Sequence, residues 1–350
     1  MTTSSAPGKI ILCGEHAVVY GRPAVALPLS GVRAYAEVDD APPGSGVCFC
    51  APDLGRSWTL GEAPDDPISQ LVERLLADIH VPGADIRITL SSDIPIASGM
   101  GSGAAIATAL VRALATHFER ALPPEAVSAI VYESERGYHG TPSGIDNTVV
   151  AFERPVWFVR PRPTDYLPPT ASGSDEQAHT GYQSSVVSSQ WSAVGRPTIE
   201  PIAIAAPLAL LVGDTGLRSQ TKLPVAEVRR RREADVARYE ALFDSVGALA
   251  HQARDALAAG DRAALGPLLD RNHTLLQEIG VSSPELDRLV GVARGAGALG
   301  AKLSGAGWGG VMIALVEEGT QELVRRALLA AGAARILETT VAADQVPDAV

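Results

Sequence analysis

A chain of 350 residues is longer than one hydrophobic core usually serves and predicts two packed domains, 1–200 and 201–345. Its 29 basic and 40 acidic residues leave a formal charge of −11, which argues against nucleic acid or an anionic membrane as partner, so any anion site has to be built locally. Three cysteines, Cys13, Cys48 and Cys50, are too few for a disulfide framework and lack the second pair of a zinc site, which fits a reducing cytoplasm.

The first residues lack the basic start and apolar core of a signal peptide, and the longest apolar run, 202–212, is broken by Pro207 and falls short of the ~20 residues of a membrane helix. Residues 9–13 and 24–29 read as paired strands, with Glu15 and His16 in the loop between them. Residues 33–38 and 86–90 alternate as further strands, and 68–79 carries helical spacing through Leu71, Leu75, Leu76 and Ile79. Next comes Pro95-Ile96-Ala97-Ser98-Gly99-Met100-Gly101-Ser102-Gly103-Ala104-Ala105, opening into a helix over 104–118. Glycines before a helix make an anion cradle: the backbone approaches closely, its N–H groups point at the anion, and the helix end adds positive charge. No Gly-Lys-Ser/Thr closes this loop, so it is not the common P-loop.

A helix from Pro124-Glu125 to about residue 136 delivers Glu133 and Glu135 beside the loop 139–147, which ends in Gly144-Ile145-Asp146-Asn147. Alone, that loop reads as turn and capping chemistry. With Glu135 upstream, two carboxylates can approach a cation and a hydroxyl in one site. Residues 160–201, rich in Pro, Ser, Thr, Gly and Gln, read as a surface insertion or linker, partly disordered. Beyond it the pattern predicts a buried strand pair at 202–212, one long helix at 225–259 and helices at 265–279 and 283–295. A strand at 311–316, a helix at 321–331 and a strand near 334–340 follow.

Lys9 is either a solvated strand end or an ammonium placed beside Asp146 to stabilise a developing alkoxide. Glu15-His16 is either a polar turn or a binding pair. Lys302 to Gly310 is either a glycine-rich hairpin or a third wall of the anion site, and Arg229 to Arg232, flanked by acids, reads as a solvated helix face. The histidines show no paired metal-ligand spacing.

At these residues the chain resembles the mevalonate kinases of the GHMP kinase superfamily. Pro7 to Gly21 resembles the opening motif, Pro95 to Ala105 the phosphate loop, Glu135 to Asn147 the Glu-Arg-x-x-His-Gly-x-Pro-Ser-Gly-x-Asp-Asn segment, and Lys302 to Gly310 the third glycine motif. Asp214-Thr215-Gly216, Thr221-Lys222 and the stretch from Asn272 to Asp287 agree as well. Glu-His-Ala-Val-Val-Tyr-Gly separates this branch from the galactokinase-like Glu-His-Thr-Asp-Tyr.

The resemblance implies an α+β fold of two domains, an N-terminal one like ribosomal protein S5 and a C-terminal ferredoxin-like α/β sandwich, with the active site in the cleft between them. It implies ATP and Mg2+, transfer of phosphate to the 5-hydroxyl of mevalonate in isoprenoid biosynthesis, and a homodimer as a common assembly. Carried over, Asp146 is the catalytic carboxylate and Lys9 its partner. Pro95, Ser98, Gly99, Met100, Gly101, Ser102, Gly103 and Ala104 hold the nucleotide; Glu135 and Ser102 hold the cation; Glu15, His16, Thr221, Gly305 and Ala306 line the acceptor pocket. Two departures stand out: Gly103 replaces the second of two adjacent serines, and Trp308 replaces a glycine, where it is expected to narrow the cleft. Another small alcohol or phosphomevalonate as acceptor, and a non-catalytic ATP- or metabolite-binding regulator, are the alternatives; the implied pocket positions carry no basic residue for a phosphorylated acceptor.

Overall fold

The computed structural model describes residues 1–96, 98–139, 143–161, 197–218 and 222–343, with 137–139 described by backbone alone. Its first half is organised around one long strand. β2 (Ala24–Asp40) runs antiparallel to β1 (Thr2–Cys13), and from Val32 onward its residues alternate between buried and half-buried, as a strand covered on one face must. The sequence pattern predicts two strands here, 24–29 and 33–38, separated at 30–32. The chain instead continues through, because the register shift between Pro7 and Gly8 of β1 absorbs the extra residues as a bulge.

β3 (Val47–Ala51), β4 (Arg56–Thr59), β5 (Ile86–Ser92), β6 (Val156–Val159) and β7 (Thr198–Pro201) complete this sheet in the order β4-β3-β5-β2-β6-β7, with β1 also on β2. β3 pairs parallel with β5; the other pairings are antiparallel. The β3 and β4 hairpin was not foreseen; the stacking of Phe49 on Trp58, with ring centroids 4.9 Å apart, holds it. α1 (Pro67–Asp78) starts where the Asp66 side chain accepts from the N–H groups of Ile68 and Ser69. α2 (Ser102–His117) packs on β1 and β2, and α3 (Pro124–His139) and α4 (Ile145–Phe152) pack beside it.

The second half holds a four-stranded antiparallel sheet in the order β11-β8-β10-β9, built from β8 (Leu208–Asp214), β9 (Gly300–Ser304), β10 (Val311–Val316) and β11 (Arg335–Val341). Strand alternation divides its side chains between two cores. Leu208, Leu210, Val212, Val311, Ile313 and Leu315 join the apolar cluster of the first half, while Leu211, Met312, Ala314 and Val316 face a second cluster with Phe243, Leu276, Leu289 and Leu328. The helices on that side are α5 (Lys222–Ala234), α6 (Val236–Ala259), α7 (Arg262–Ile279), α8 (Pro284–Gly295) and α9 (Glu318–Ala330).

Two expectations change. Residues 202–212 are no strand pair: only β8 forms, and Ile202 and Ile204 are buried on the connection leading into it. The long helix at 225–259 is two helices, since Asp235 leaves helical geometry and its carboxylate accepts from the Arg238 N–H to cap α6. Of the supposed insertion at 160–201, residues 162–196 lie outside the described residues, and 198–201 form β7. No described helix is long and apolar enough to cross a membrane.

Candidate active site

Lys9 sits near the end of β1, and its N–H donates to the Met100 carbonyl at 2.9 Å, so the strand itself holds the glycine loop that precedes α2. Its ammonium lies 3.0 Å from Asp146 Oδ1. Asp146 stands in the first turn of α4, where the helix dipole favours negative charge, and Gly144 makes the left-handed turn that starts that helix. The solvated reading of Lys9 is therefore excluded: the residue is 4 % exposed.

Glu135 approaches from α3. Burial, then the neighbouring Asp146 carboxylate, push the Glu135 carboxyl up to about 8, with Lys9 acting in the opposite direction. Its neighbour Glu133 turns outward to Arg136 and Arg74. A Cβ at Gly103 would stand 3.1 Å from Glu135 Oε1, so the glycine lies directly against this carboxyl.

The phosphate loop contributes backbone rather than side chains. Ser98 is buried and donates its hydroxyl to the Pro95 carbonyl; Met100 and Ala104 point into the core; Ser102 and Gly103 open α2, with Gly101 as its N-cap at φ 73°. A Cβ at Gly101 would meet Lys9 Cγ at 3.0 Å. Gly101→Ala is expected to cost about 1–2 kcal/mol for the left-handed backbone and to lower turnover about tenfold by displacing the Lys9 side chain from Asp146. Steady-state rates alongside urea unfolding check this; unchanged turnover would mean that Lys9 needs no such close fit.

Facing these groups, Glu15 and His16 occupy the turn after β1. Gly14 makes the turn possible at φ 109°, since a Cβ there would fall 2.4 Å from Ala24 Cα. The carboxylate of Glu15 pairs with the fully buried Lys302 of β9, and Asn272 of α7 donates to it at 3.1 Å. His16 donates from Nε2 to the Ala306 carbonyl at 2.9 Å. The Lys302 to Gly310 segment is thus both a hairpin, joining β9 to β10, and a wall of the site. Arg22 closes the turn by pairing with Glu240 and Asp244 of α6.

Burial lowers His16 to about 4, against the opposing effect of its hydrogen bond to Ala306. The native state therefore binds fewer protons here than the unfolded chain between pH 6.5 and 4, and stability present above pH 6.5 is lost as pH falls through that window. Melting temperature against pH is expected to fall more steeply over this range in the parent than in His16→Gln; parallel curves would remove His16 as a cause.

A cavity of about 150 Å³ joins these parts. Lys9, Glu135, Asp146 and Gly99 line one side, Glu15, His16, Gly305 and Ala306 another, and Ile11, Val18, Val19 and Val225 add apolar surface. Lys222, at the start of α5, also lines it and was not singled out from the sequence as a site residue. Thr221 lies outside the described residues. Trp308 does not line the cavity: its indole N–H donates to the Gly280 carbonyl at 3.0 Å and its own N–H to Val281, which holds it against the link between α7 and α8. Three of the four arginines of the run are paired away from the site, Arg230 and Arg231 with Glu227 and Arg232 with Glu240.

Known proteins resemble this chain over nearly its whole length. The family model "GHMP kinases N terminal domain" matches residues 67–153, and "GHMP kinases C terminal" matches 253–334. The mevalonate kinase of Thermococcus sibiricus is 32 % identical over 349 residues, covering 94 % of this chain and 93 % of that protein. That of Pyrococcus furiosus is 30 % identical over 355 residues, covering 96 % and 95 %. Among solved structures, L. major mevalonate kinase in complex with R-mevalonate superposes with a TM-score of 0.77 at 28 % identity, covering 99 % of this chain and 97 % of that one. Methanococcus jannaschii mevalonate kinase, at 22 % identity and a TM-score of 0.75, shares the fold over 98 % of both chains. With identity of 30–32 % across nearly the whole length of these curated relatives, and both halves matched by family models, this chain belongs to the mevalonate kinase family of GHMP kinases.

Proposed function

We propose that the chain transfers the γ-phosphate of ATP to the 5-hydroxyl of (R)-mevalonate, giving 5-phosphomevalonate and ADP for isoprenoid synthesis. The observation that carries this reading is the Lys9 and Asp146 pair, 3.0 Å apart, on the wall of a cavity that the glycine loop also lines. A hydroxyl entering there meets a carboxylate able to orient or accept its proton and an ammonium able to stabilise the oxygen as it gains charge. The backbone amides at the start of α2 face the phosphates, and alignment does most of the work, as phosphoryl transfer requires.

A divalent cation fits beside Glu135. A carboxyl that burial and a second carboxylate hold neutral gains most from a cationic neighbour, and with glycine at 103 no side chain fills the space against it. Glu135 and Ser102 would hold Mg2+, which when bound neutralises charge on the transferring phosphate. The same reading places the boundary between halves in the connection 202–207, after β7 leaves the first sheet and before β8 enters the second.

ADP release by the purified protein with Mg-ATP, assayed against mevalonate, phosphomevalonate, homoserine and galactose, tests the assignment. Release dependent on mevalonate, with phosphorus NMR locating the ester on the 5-oxygen, supports it. Activity with another acceptor instead moves the substrate, and silence with all four favours a binding protein.

A further inference from the structure

We propose that Lys222 selects for a carboxylate on the acceptor, a role that rests on the kinase reading above. The charges around the cavity single this residue out. Glu15 and Asp146 reach its wall already paired with Lys302 and Lys9, and Glu135 adds only a further carboxyl, so none of these side chains offers positive charge to an anionic acceptor. Three basic groups reach the wall too, but two of them are unable to supply it. Lys9 is occupied by Asp146, and His16 is held neutral by burial, its Nε2 proton engaged by Ala306. Lys222 has no ion-pair partner among the described residues.

Its place on α5 gives the selection a direction. Lys222 and Val225 are three residues apart, one turn of the helix, and both line the cavity, so a cation and an apolar contact are presented side by side. Val18 and Val19 extend that apolar contact from the turn after β1. An acceptor whose hydroxyl sits at Asp146 can lay a short branched carbon skeleton on the valines and bring an acid group to Lys222. One exposed lysine matches a singly charged carboxylate; a phosphate dianion would need a second available cation.

The test compares (R)-mevalonate with its neutral primary amide, mevalonamide, in the parent protein, Lys222→Met and Lys222→Arg. Lys222 is exposed, so both variants are expected to fold, and their melting temperatures confirm it. The amide is read as kcat/KM where it is turned over and otherwise as an inhibition constant against mevalonate. Lys222→Met is expected to lose about 10- to 100-fold in kcat/KM for mevalonate, through KM, while the amide and Mg-ATP change less than about twofold. Lys222→Arg is expected to retain most of the preference for the acid. Equal losses on acid and amide, or a loss confined to the KM for ATP, overturn the role of Lys222 and leave the kinase reading standing. A parent protein that leaves mevalonate untouched overturns both.

Discussion

Asp146→Asn is expected to lower kcat by about 10²- to 10⁴-fold while the affinity for ATP stays close to that of the parent. The substitution is nearly isosteric and keeps the first turn of α4 intact, so the glycine loop is undisturbed. It turns the carboxylate that lies 3.0 Å from Lys9 into a neutral amide, and so removes the basic group able to accept a proton and the negative charge that holds the ammonium in place. Steady-state kinetics, with nucleotide binding measured by calorimetry, separate the two effects. Near-normal turnover would sink the role given to Asp146, and a parallel loss of ATP binding would show that the variant distorts the loop rather than the chemistry.

Lys302→Met is expected to destabilise the fold by about 3–5 kcal/mol, because Glu15 is left as a buried charge without its counter-ion. Adding Glu15→Leu should recover most of that loss, since an apolar pair of similar volume avoids the desolvation of both charges. The double variant should still bind the acceptor poorly, because Glu15 lines the cavity. Urea unfolding midpoints of the two variants, set beside acceptor binding, distinguish a pair kept for stability from one kept for the site. A single variant as stable as the parent would mean that the ion pair contributes nothing net; a stable double variant that binds normally would remove Glu15 from the pocket.

The parts of the site carried by contiguous residues were legible in the chain. A glycine loop running into a helix needs only local geometry to become an anion cradle, and Gly99 to Gly103 do become the approach and first turn of α2. Lys9 and Asp146 were paired on chemical grounds, and they meet. The boundaries that failed are those where a local signal was outvoted by packing. Ser30-Gly31 looks like a turn, yet β1 accommodates it with a bulge, and the helical spacing of 225–259 continues through Asp235, whose side chain prefers to cap.

Other features depend on residues that no local pattern connects. Lys302 follows Glu15 by hundreds of positions and meets it only because β9 is brought beside β1. Trp308 looked from the chain like a side chain for the cleft, but its backbone at φ 57° turns the indole to Gly280. Lys222 reaches the cavity wall only in the folded chain, where Val225 of the same helix lines it together with Val18 and Val19.

The amino-acid sequence by itself thus carried the resemblance to the kinase family, the glycine loop that opens α2 and the residue types of the Lys9 and Asp146 pair, because each lies in a short motif of contiguous residues. The tertiary structure alone decided which charges remain available in the cavity. That depends on how ion pairs and burial divide the charged side chains between partners far apart in the chain: Lys9 goes to Asp146, Lys302 to Glu15, His16 stays neutral, and Lys222 is left on the cavity wall with no ion-pair partner among the described residues.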